Sequence, residues 1–312
     1  MTQILGDDPP DVPPAGFERF WSTTLAELDA VEPGIVEHPS TPGSDLDTLA
    51  YQSFGGARIG AYLARSRTGG PRPLIVHGHG YTSSGAEISR HWLRAGADVF
   101  GIDLRGYGRS AGAVAGLAAE GYILTGAESP EHSVLRGAVC DYLRGVEVAL
   151  TLRGSRVSRL ILQGTSFTGG LATIAQALRP RADLLVLRVP SLAWTEARMR
   201  LARASSGLEL RQYIEAHPER AVATLRTLGH FDALHHAGRV TCPTLVGVGE
   251  RDDVVPACTV MALYERLAGP RELMRFPVSH TGSPQEQEWQ RFDDRWIEIA
   301  ADGLPSDFGR GN

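Results

Sequence analysis

A mostly apolar run that ends in a Gly-x-Ser turn and leads into a helical pattern constrains the fold of this chain most. Residues 160–164 end in glycine, Ser166 follows two places later, and residues 171–175 begin a helical pattern. This order of strand, tight turn and helix is typical of a nucleophile elbow, which raises a serine hydroxyl above the end of a sheet. The alternative is an ordinary glycine-rich turn. Thr168 replaces the usual glycine two places after the serine, and Gly169 arrives one place late.

Strand-like runs alternate with helical patterns along most of the chain. Two glycines separate the first two runs and suit a hairpin turn. Strands that alternate with helices predict a mostly parallel sheet with helices on both faces, which is an α/β fold. The predicted strands span 49–54, 58–64, 73–77, 98–102, 158–163, 184–189, 243–248 and 272–276, and the clearest helices span 17–28, 135–152 and 260–267.

The length of the chain is enough to bury a large core, and a single domain over residues 1–312 is expected. Residues 1–34 are expected to form a helical N-terminal extension, because apolar residues recur there at helical spacing. The segment 191–239 is longer than a simple crossover connection between two strands, and it contains helix-forming stretches. It is expected to cap the strand ends, where the active sites of open α/β sheets lie.

Composition and charge narrow the class of protein. With 42% hydrophobic and 21% charged residues, the chain is typical of a soluble globular enzyme. Its formal net charge of −5 predicts no general attraction to nucleic acid or to anionic membranes. No apolar run approaches the roughly 20 residues that span a bilayer, and residues 1–14 are acidic and proline-rich, unlike a signal peptide. Cys140, Cys242 and Cys258 are odd in number and widely spaced, which favours reduced thiols and a cytoplasmic location.

Candidate partners for the serine follow two late strand-like runs. A serine nucleophile needs a general base and an acid that orients this base. In α/β-hydrolases the acid and then the histidine follow the serine along the chain. Three acids, Glu250, Asp252 and Asp253, follow one run, and His280 follows the next. Because an acid and a histidine in this order are more specific than either residue alone, they predict a catalytic triad with Ser166.

Backbone N–H groups are expected to stabilise an oxyanion beside the serine. One such donor is the residue after the serine, and the other lies in the loop after an early strand. The first is Phe167, and Tyr81 is the candidate for the second. The alternative is that Gly78 and Gly80 in this loop serve only a tight turn.

Ser110 is a competing candidate for the nucleophile. It lies in Gly-Arg-Ser-Ala-Gly, which matches the Gly-x-Ser-x-Gly pattern more literally than the turn at Ser166 does. The residues before it are loop-like, and those after it are small, with no clear helix start. Ser110 is therefore not expected to be the nucleophile.

Two histidine pairs resemble ligand sites. His77 and His79 form one pair, but the further ligands of a hydrolytic metal site are missing, so no metal is predicted. The Gly-x-Gly around His79 lacks the third glycine of a dinucleotide loop, and no cofactor is predicted. His235 and His236 lie in the expected cap, where a solvated or packed pair is the simpler interpretation.

With these residues in place, the chain resembles the acetyl xylan esterase and cephalosporin C deacetylase family of α/β-hydrolases. The resemblance runs from about residue 17 to about residue 296. It implies that Ser166 is the nucleophile, Asp252 the acid and His280 the base. It also implies that Tyr81 and Phe167 are the oxyanion donors. The matching segments are 54–59, 79–81, 103–108, 164–166, 231–232 and 249–252, followed by Pro256, 259–260 and His280.

The resemblance also implies a function. Members of this family act on acetyl esters of sugars or related small molecules and often assemble as hexamers. The chain is therefore predicted to be a serine carboxylester hydrolase that deacetylates a small-molecule or sugar ester, with a homo-oligomer as a further expectation. Two alternatives remain open. A biosynthetic α/β-hydrolase would use the same triad as an acyltransferase, thioesterase or C–C hydrolase, and a non-catalytic relative would only bind a ligand.

Overall fold

The computed structural model describes residues 8–38, 46–87, 90–281, 286–306 and 308–309. Each predicted strand and each of the three clearest predicted helices is present, with bounds that differ by a few residues. The strands are β1 (Val36–His38), β2 (Leu46–Gln52), β3 (Arg58–Ala64), β4 (Arg72–His77), β5 (Asp98–Ile102), β6 (Val157–Thr165), β7 (Leu184–Arg188), β8 (Thr244–Gly249) and β9 (Arg271–Phe276). The α-helices are α1 (Phe17–Asp29), α2 (Arg90–Arg94), α3 (Val134–Arg153), α4 (Phe167–Leu178), α5 (Thr195–Leu201), α6 (Ser205–Ala216), α7 (Ala221–Gly229), α8 (Leu234–Ala237), α9 (Ala257–Arg266) and α10 (Glu286–Asp302).

These strands form one sheet in the order β1-β2-β3-β5-β4-β6-β7-β8-β9. The strands β1, β2, β3 and β5 pair antiparallel, and all pairs among β4 to β9 are parallel. The predicted mostly parallel sheet is therefore confirmed. No sequence pattern predicts β1, which is an exposed edge strand of three residues.

The strands β4 and β6 lie at the centre of the sheet. Leu74 pairs with Leu160, and Val76 pairs with Leu162. All four side chains are buried, because helices cover both faces of the sheet. A strand that is covered on both faces has apolar residues at successive positions, which explains the apolar run before the serine.

Helices form a layer on each face of the sheet. The helices α1, α3, α4, α8 and α9 pack side by side on one face. The helices α2 and α10 lie on the other face, where the ring centroids of Trp92 and Trp296 are 5.3 Å apart. Among the helices in the described ranges, none is long and apolar enough to cross a membrane.

Buried carboxylates fix the loop after β5. The Asp103 carboxylate accepts hydrogen bonds from the N–H groups of Ala86 at 2.7 Å and Arg109 at 2.8 Å. Two hydrogen bonds of 2.8 Å join the Arg105 guanidinium to the Asp141 carboxylate. Because buried charges must be paired or hydrogen-bonded, the charged residues of this loop have a structural explanation.

Residues 191–239, called the cap segment below, contain α5 to α8. In this segment α5 packs on α6 and α7, whereas α8 packs on α4 and α9. The N-terminal helix α1 contacts the same segment, since the indole N–H of Trp21 donates to the carbonyl of His230 at 3.1 Å. His236 is fully buried against α1. Residues 1–7 of the expected extension lie outside the described residues, and the division into extension, core and cap stays a prediction.

Gly101 in β5 provides a test of the packing between sheet strands. A Cβ at this position would lie 2.1 Å from Cε1 of Tyr62, whose hydroxyl is held 2.6 Å from His77 Nε2. Since overpacking a core costs about 1–3 kcal/mol, Gly101→Ala is expected to lower the free energy of unfolding by this amount in urea denaturation. Gly116→Ala, where a Cβ meets no atom within 4 Å, is the control. Equal stability of the two variants would contradict the prediction.

Candidate active site

The turn after β6 places Ser166 at the carboxyl edge of the sheet. Ser166 immediately precedes α4 and has φ 52° and ψ −115°, which are strained backbone angles for a residue with a side chain. Gly164 permits the turn, because a Cβ there would lie 2.6 Å from the backbone of Gly169. The structure therefore has, at this serine, the strand, strained turn and helix that the sequence predicts.

The segment after β7 packs directly against this turn. The Ser166 N–H donates to the carbonyl of Arg188, and the Ser191 N–H donates to the carbonyl of Ser166, both at 2.9 Å. A Cβ on Gly170 would lie 2.2 Å from the Ser191 carbonyl oxygen. Glycine at this position thus lets the two segments meet, and the backbone of Ser166 is held on both sides.

Thr168 joins the turn to the loop after β4. Its side chain is fully buried, and its hydroxyl donates a hydrogen bond to the carbonyl of His79. A Cβ on Gly78 would lie 2.9 Å from Thr168 Oγ1, so the glycine at position 78 makes room for the threonine. The residue that departs from the family pattern therefore connects α4 to the loop that carries Tyr81.

The acid after β8 contacts the histidine after β9. Oδ2 of Asp252 lies 2.5 Å from Nδ1 of His280 and accepts the backbone N–H of His280 at 2.9 Å. Because an ionised carboxylate only accepts hydrogen bonds, Nδ1 of His280 is the donor, and in the neutral tautomer with this donor Nε2 has a lone pair. Asp253 is exposed, and its carbonyl accepts the Arg203 N–H at 2.7 Å.

Hydrogen bonds keep Asp252 ionised although it is buried. Oδ1 of Asp252 accepts the backbone N–H groups of Val254 at 3.0 Å and Val255 at 2.8 Å. Burial alone raises the pKa of Asp252, but the hydrogen bonds from His280 and Val255 outweigh it and lower this pKa below its usual value. Gly249 gives the carboxylate room, since a Cβ there would lie 3.3 Å from Asp252 Oδ2.

Tyr81 and Phe167, the predicted oxyanion donors, lie side by side. Their ring centroids are 5.7 Å apart, and the Tyr107 hydroxyl donates to the Tyr81 carbonyl at 2.8 Å. Phe167 is the first residue of α4, so its N–H belongs to the helical turn that has no intrahelical acceptor. The loop after β4 therefore meets the start of α4 beside Ser166.

The hydroxyl of Ser110 is used in hydrogen bonds that hold the fold together. It lies in the 3₁₀ helix Gly108–Ala113 and is 1% exposed. Its hydroxyl donates to the carbonyl of Asp103 at 2.5 Å and accepts the N–H of Gly60 at 2.8 Å. The hydroxyl is thus engaged in joining β3 to the loop after β5.

His77 and His79 are likewise engaged within the protein. Nε2 of His79 accepts the Leu104 N–H at 3.1 Å, and Nδ1 lies 2.9 Å from the Gly80 carbonyl. Burial lowers the pKa of His77 to about 4 and also lowers the pKa of His79, so both rings are neutral near pH 7. In the part of the chain that the structure describes, no cluster of three or more His, Cys, Asp or Glu side chains is arranged to hold a metal ion.

Sequence reasoning missed two acidic residues beside the site. Asp232 is 2% exposed and accepts the backbone N–H groups of Trp194 at 3.0 Å and Thr195 at 2.7 Å. Glu209 in α6 accepts a hydrogen bond from the Tyr81 hydroxyl at 2.6 Å. Asp232 belongs to a segment, 231–232, that matches the family pattern, but the sequence assigned it no role. No motif in the sequence distinguishes Glu209 from other helix carboxylates.

The five residues predicted for the site all lie at the carboxyl edge of the parallel strands. Tyr81 follows β4, Ser166 follows β6, Asp252 follows β8, His280 follows β9, and Phe167 begins α4. The structure joins Asp252 to His280 and brings Tyr81 next to Phe167. This is the edge at which open α/β sheets bind and transform ligands.

Comparison with known sequences identifies a family. The family model described as acetyl xylan esterase matches residues 3–294 of the chain. The acetyl esterase Axe7A of Xylanibacter ruminicola is 20% identical over 299 residues, which are 88% of this chain and 65% of that protein. The chain therefore spans less than two thirds of the length of this curated relative.

Two solved structures resemble the chain over nearly its whole length. An acetyl xylan esterase from a Paenibacillus species has a TM-score of 0.79 at 23% identity, covering 94% of this chain and 97% of that chain. Acetyl xylan esterase 1 from a Thermoanaerobacterium species has a TM-score of 0.78 at 25% identity, covering 93% of this chain and 96% of that chain. The predicted α/β-hydrolase fold is thereby confirmed.

Removal of the Thr168 hydroxyl is expected to destabilise the contact between α4 and the loop after β4. Thr168→Val fills a similar volume but leaves the buried His79 carbonyl without this donor, at a cost of about 1–3 kcal/mol. The midpoint of urea denaturation should fall accordingly. Thr173→Val is a control in the same helix, because the Thr173 hydroxyl donates to the Gly169 carbonyl four residues earlier, which the helix itself can satisfy. Equal midpoints for the two variants would contradict the expected role of Thr168.

Proposed function

Because the chain belongs to the acetyl xylan esterase family, we propose that it is a serine carboxylester hydrolase that removes acetyl groups from sugar or small-molecule esters. The observation that carries the proposal is the 2.5 Å hydrogen bond between Asp252 and His280, at the sheet edge where Ser166 occupies a strained turn. The names of the relatives, acetyl xylan esterase and acetyl esterase, support an acetyl ester as the substrate class.

In the proposed first half-reaction, Ser166 becomes acylated. Nε2 of His280 accepts the proton of the Ser166 hydroxyl while Oγ attacks the carbonyl carbon of the ester. Asp252 holds the Nδ1–H tautomer of His280 and stabilises the imidazolium that forms. The N–H groups of Tyr81 and Phe167 donate to the developing oxyanion. The imidazolium then protonates the departing alcohol, and the acyl group stays on Oγ.

In the second half-reaction, water hydrolyses the acyl-enzyme through the same groups. His280 takes a proton from the water as its oxygen attacks the acyl carbon, and the two N–H donors again stabilise the oxyanion. Collapse of this intermediate breaks the bond to Oγ, and His280 returns the proton to Ser166. The products are acetate and the regenerated serine, so the proposed chemistry uses only groups of this chain and water.

The expected partner of this site is a small-molecule ester. Transfer of the acyl group to another acceptor, thioester hydrolysis and C–C hydrolysis would use the same triad, and a screen of substrates separates them from ester hydrolysis. The absence of nucleic-acid and membrane partners, a homo-oligomer that the family resemblance predicts to be a hexamer, and a cytoplasmic location stay predictions.

The purified protein is expected to hydrolyse p-nitrophenyl acetate with a higher kcat/KM than p-nitrophenyl octanoate. Each methylene in a tight pocket changes discrimination by roughly 1–3 kcal/mol. Ser166→Ala should lower kcat by about 10⁶-fold, because loss of the nucleophile disables the whole triad. Both values come from steady-state kinetics with the two esters.

A fluorophosphonate probe followed by mass spectrometry locates the nucleophile independently. The adduct should lie on Ser166. An adduct on Ser110, or full activity in Ser166→Ala, would exclude Ser166 as the nucleophile. Faster cleavage of the octanoate ester would instead contradict the acetyl specificity and favour a lipase-like or biosynthetic role.

The triad acid is tested by two neighbouring substitutions. Asp252→Asn should lower kcat by about 10⁴-fold, because an asparagine at this position favours the wrong tautomer of His280. Asp253→Asn should stay within a few-fold of the parent enzyme, since Asp253 is exposed and His280 bonds to Asp252. The reverse ranking in kcat would move the acid by one residue and leave the rest of the proposed mechanism unchanged.

A further inference from the structure

A carboxylate of the cap segment contacts the loop that would supply an oxyanion donor. Oε2 of Glu209 in α6 accepts a hydrogen bond from the Tyr81 hydroxyl at 2.6 Å. The same hydroxyl oxygen accepts the backbone N–H of Ile123 at 3.2 Å. Since the phenol both donates and accepts, the orientation of the Tyr81 side chain is fixed from two sides.

The surroundings of Glu209 leave room for this contact. A Cβ on Gly121 would lie 2.3 Å from Oε2 of Glu209, so glycine at position 121 lets the carboxylate approach. The Tyr81 ring packs edge-on against Phe167, at a centroid distance of 5.7 Å, and against Tyr122, at 6.1 Å. The Tyr81 ring and the Glu209 carboxylate therefore pack closely against their neighbours where the cap segment meets the loop after β4.

The main chain of Tyr81 is held as well as its side chain. The Tyr107 hydroxyl donates to the Tyr81 carbonyl at 2.8 Å. Holding the carbonyl on one side and the phenol on the other limits the rotation of the peptide groups of this residue. The Tyr81 N–H, which the proposed function uses for the oxyanion, belongs to the residue that both contacts hold.

We propose that Glu209 is a positioning residue that orients the Tyr81 N–H toward the oxyanion through the hydrogen bond to the Tyr81 hydroxyl. Glu209 itself does not touch the substrate in this proposal, which rests on the proposed function of Tyr81. A displacement of about 1 Å at a reacting group can cost 100-fold in rate. In this proposal the cap segment therefore contributes to the rate of the chemical step.

The electrostatic surroundings of Tyr81 favour the hydrogen bond from its hydroxyl to Glu209. Burial and the hydrogen bond to Glu209 raise the pKa of Tyr81 well above its usual value, so the phenol stays a donor. A carboxylate near an oxyanion would oppose its negative charge. The guanidinium of Arg198, which is 2% exposed and donates to Ser206 Oγ at 2.7 Å, lies in the electrostatic field of Asp232 first, and of Tyr81 and Glu209 after it.

The proposal is tested by kcat and KM in a double-mutant cycle. Glu209→Leu and Tyr81→Phe each remove one partner of the hydrogen bond while the Tyr81 N–H remains. Each should lower kcat for p-nitrophenyl acetate by about 10- to 100-fold and change KM less than threefold. The double variant should lose no more than Tyr81→Phe alone, because Tyr81→Phe already removes the bond to Glu209 together with the acceptor of the Ile123 N–H. Glu209→Gln, whose amide oxygen still accepts, should keep kcat within about threefold of the parent.

A second measurement and matched control variants distinguish an effect of Glu209 on the position of Tyr81 from a general loss of stability. The rate of labelling by a fluorophosphonate should fall by the same factor as kcat, since its phosphoryl oxygen would occupy the oxyanion site. Glu215→Ala, an exposed carboxylate of the same helix, and Tyr213→Phe should keep parental kcat. Unchanged kcat in a folded Glu209→Leu, additive losses in the double variant, or equal losses in Glu209→Gln and Glu209→Leu would overturn the proposal.

The parent enzyme and Ser166→Ala distinguish failure of this inference from failure of the proposed function. If Ser166→Ala is inactive and Glu209→Leu retains the parental kcat, the esterase proposal stands and the role of Glu209 is wrong. If the parent does not hydrolyse the ester, or Ser166→Ala is as active as the parent, the proposed function is wrong and the role of Glu209 is wrong with it.

Discussion

The close backbone contact between the start of α4 and the segment after β7 is the constraint on which the site depends. The Ser191 N–H donates to the carbonyl of Ser166. A Cβ on Gly169 would lie 2.9 Å from Cα of Pro190, and a Cβ on Gly170 would lie 2.2 Å from the Ser191 carbonyl oxygen. The two glycines therefore bring the segments together, and this packing holds a strained serine in one conformation. Precise placement of a reacting hydroxyl is what effective catalysis by orientation requires.

The segment after β7 is itself strained and needs support. Val189, Leu192 and Trp194 have φ values of 42°, 61° and 50°, which β-branched and bulky residues seldom adopt. Asp232 supplies the support, since its carboxylate accepts the N–H groups of Trp194 and Thr195 and also the Thr195 hydroxyl at 2.8 Å. Hydrogen bonds to an ionised acceptor are stronger than neutral ones. The cap segment thus stabilises the segment that packs on the turn at Ser166 through Asp232, besides its contact with the loop after β4.

Local patterns predicted most of the fold, and contacts between distant residues account for what they missed. Strands buried on both faces have continuous apolar runs, which is why the central strands were found and the exposed β1 was not. The order of Ser166, an acid and His280, each just past a strand, predicted residues that the structure places at one sheet edge. Glu209 and Tyr81 lie 128 positions apart, and no local periodicity indicates such a pair. Their side chains meet only because α6 folds back over the loop after β4.

Thr168 shows how a departure from the family pattern is compatible with the same turn. The tight approach in the turn is made by Gly164 to backbone atoms of residues 168 and 169, so the side chain at position 168 is not part of it. That side chain needs space elsewhere, and Gly78 provides it. The threonine hydroxyl donates to the His79 carbonyl. This hydrogen bond joins the loop that carries Tyr81 to the helix that begins with Phe167, the two proposed oxyanion donors. The two proposed donors and the serine are then held in a single packed unit, and such preorganisation is what stabilising a developing negative charge requires.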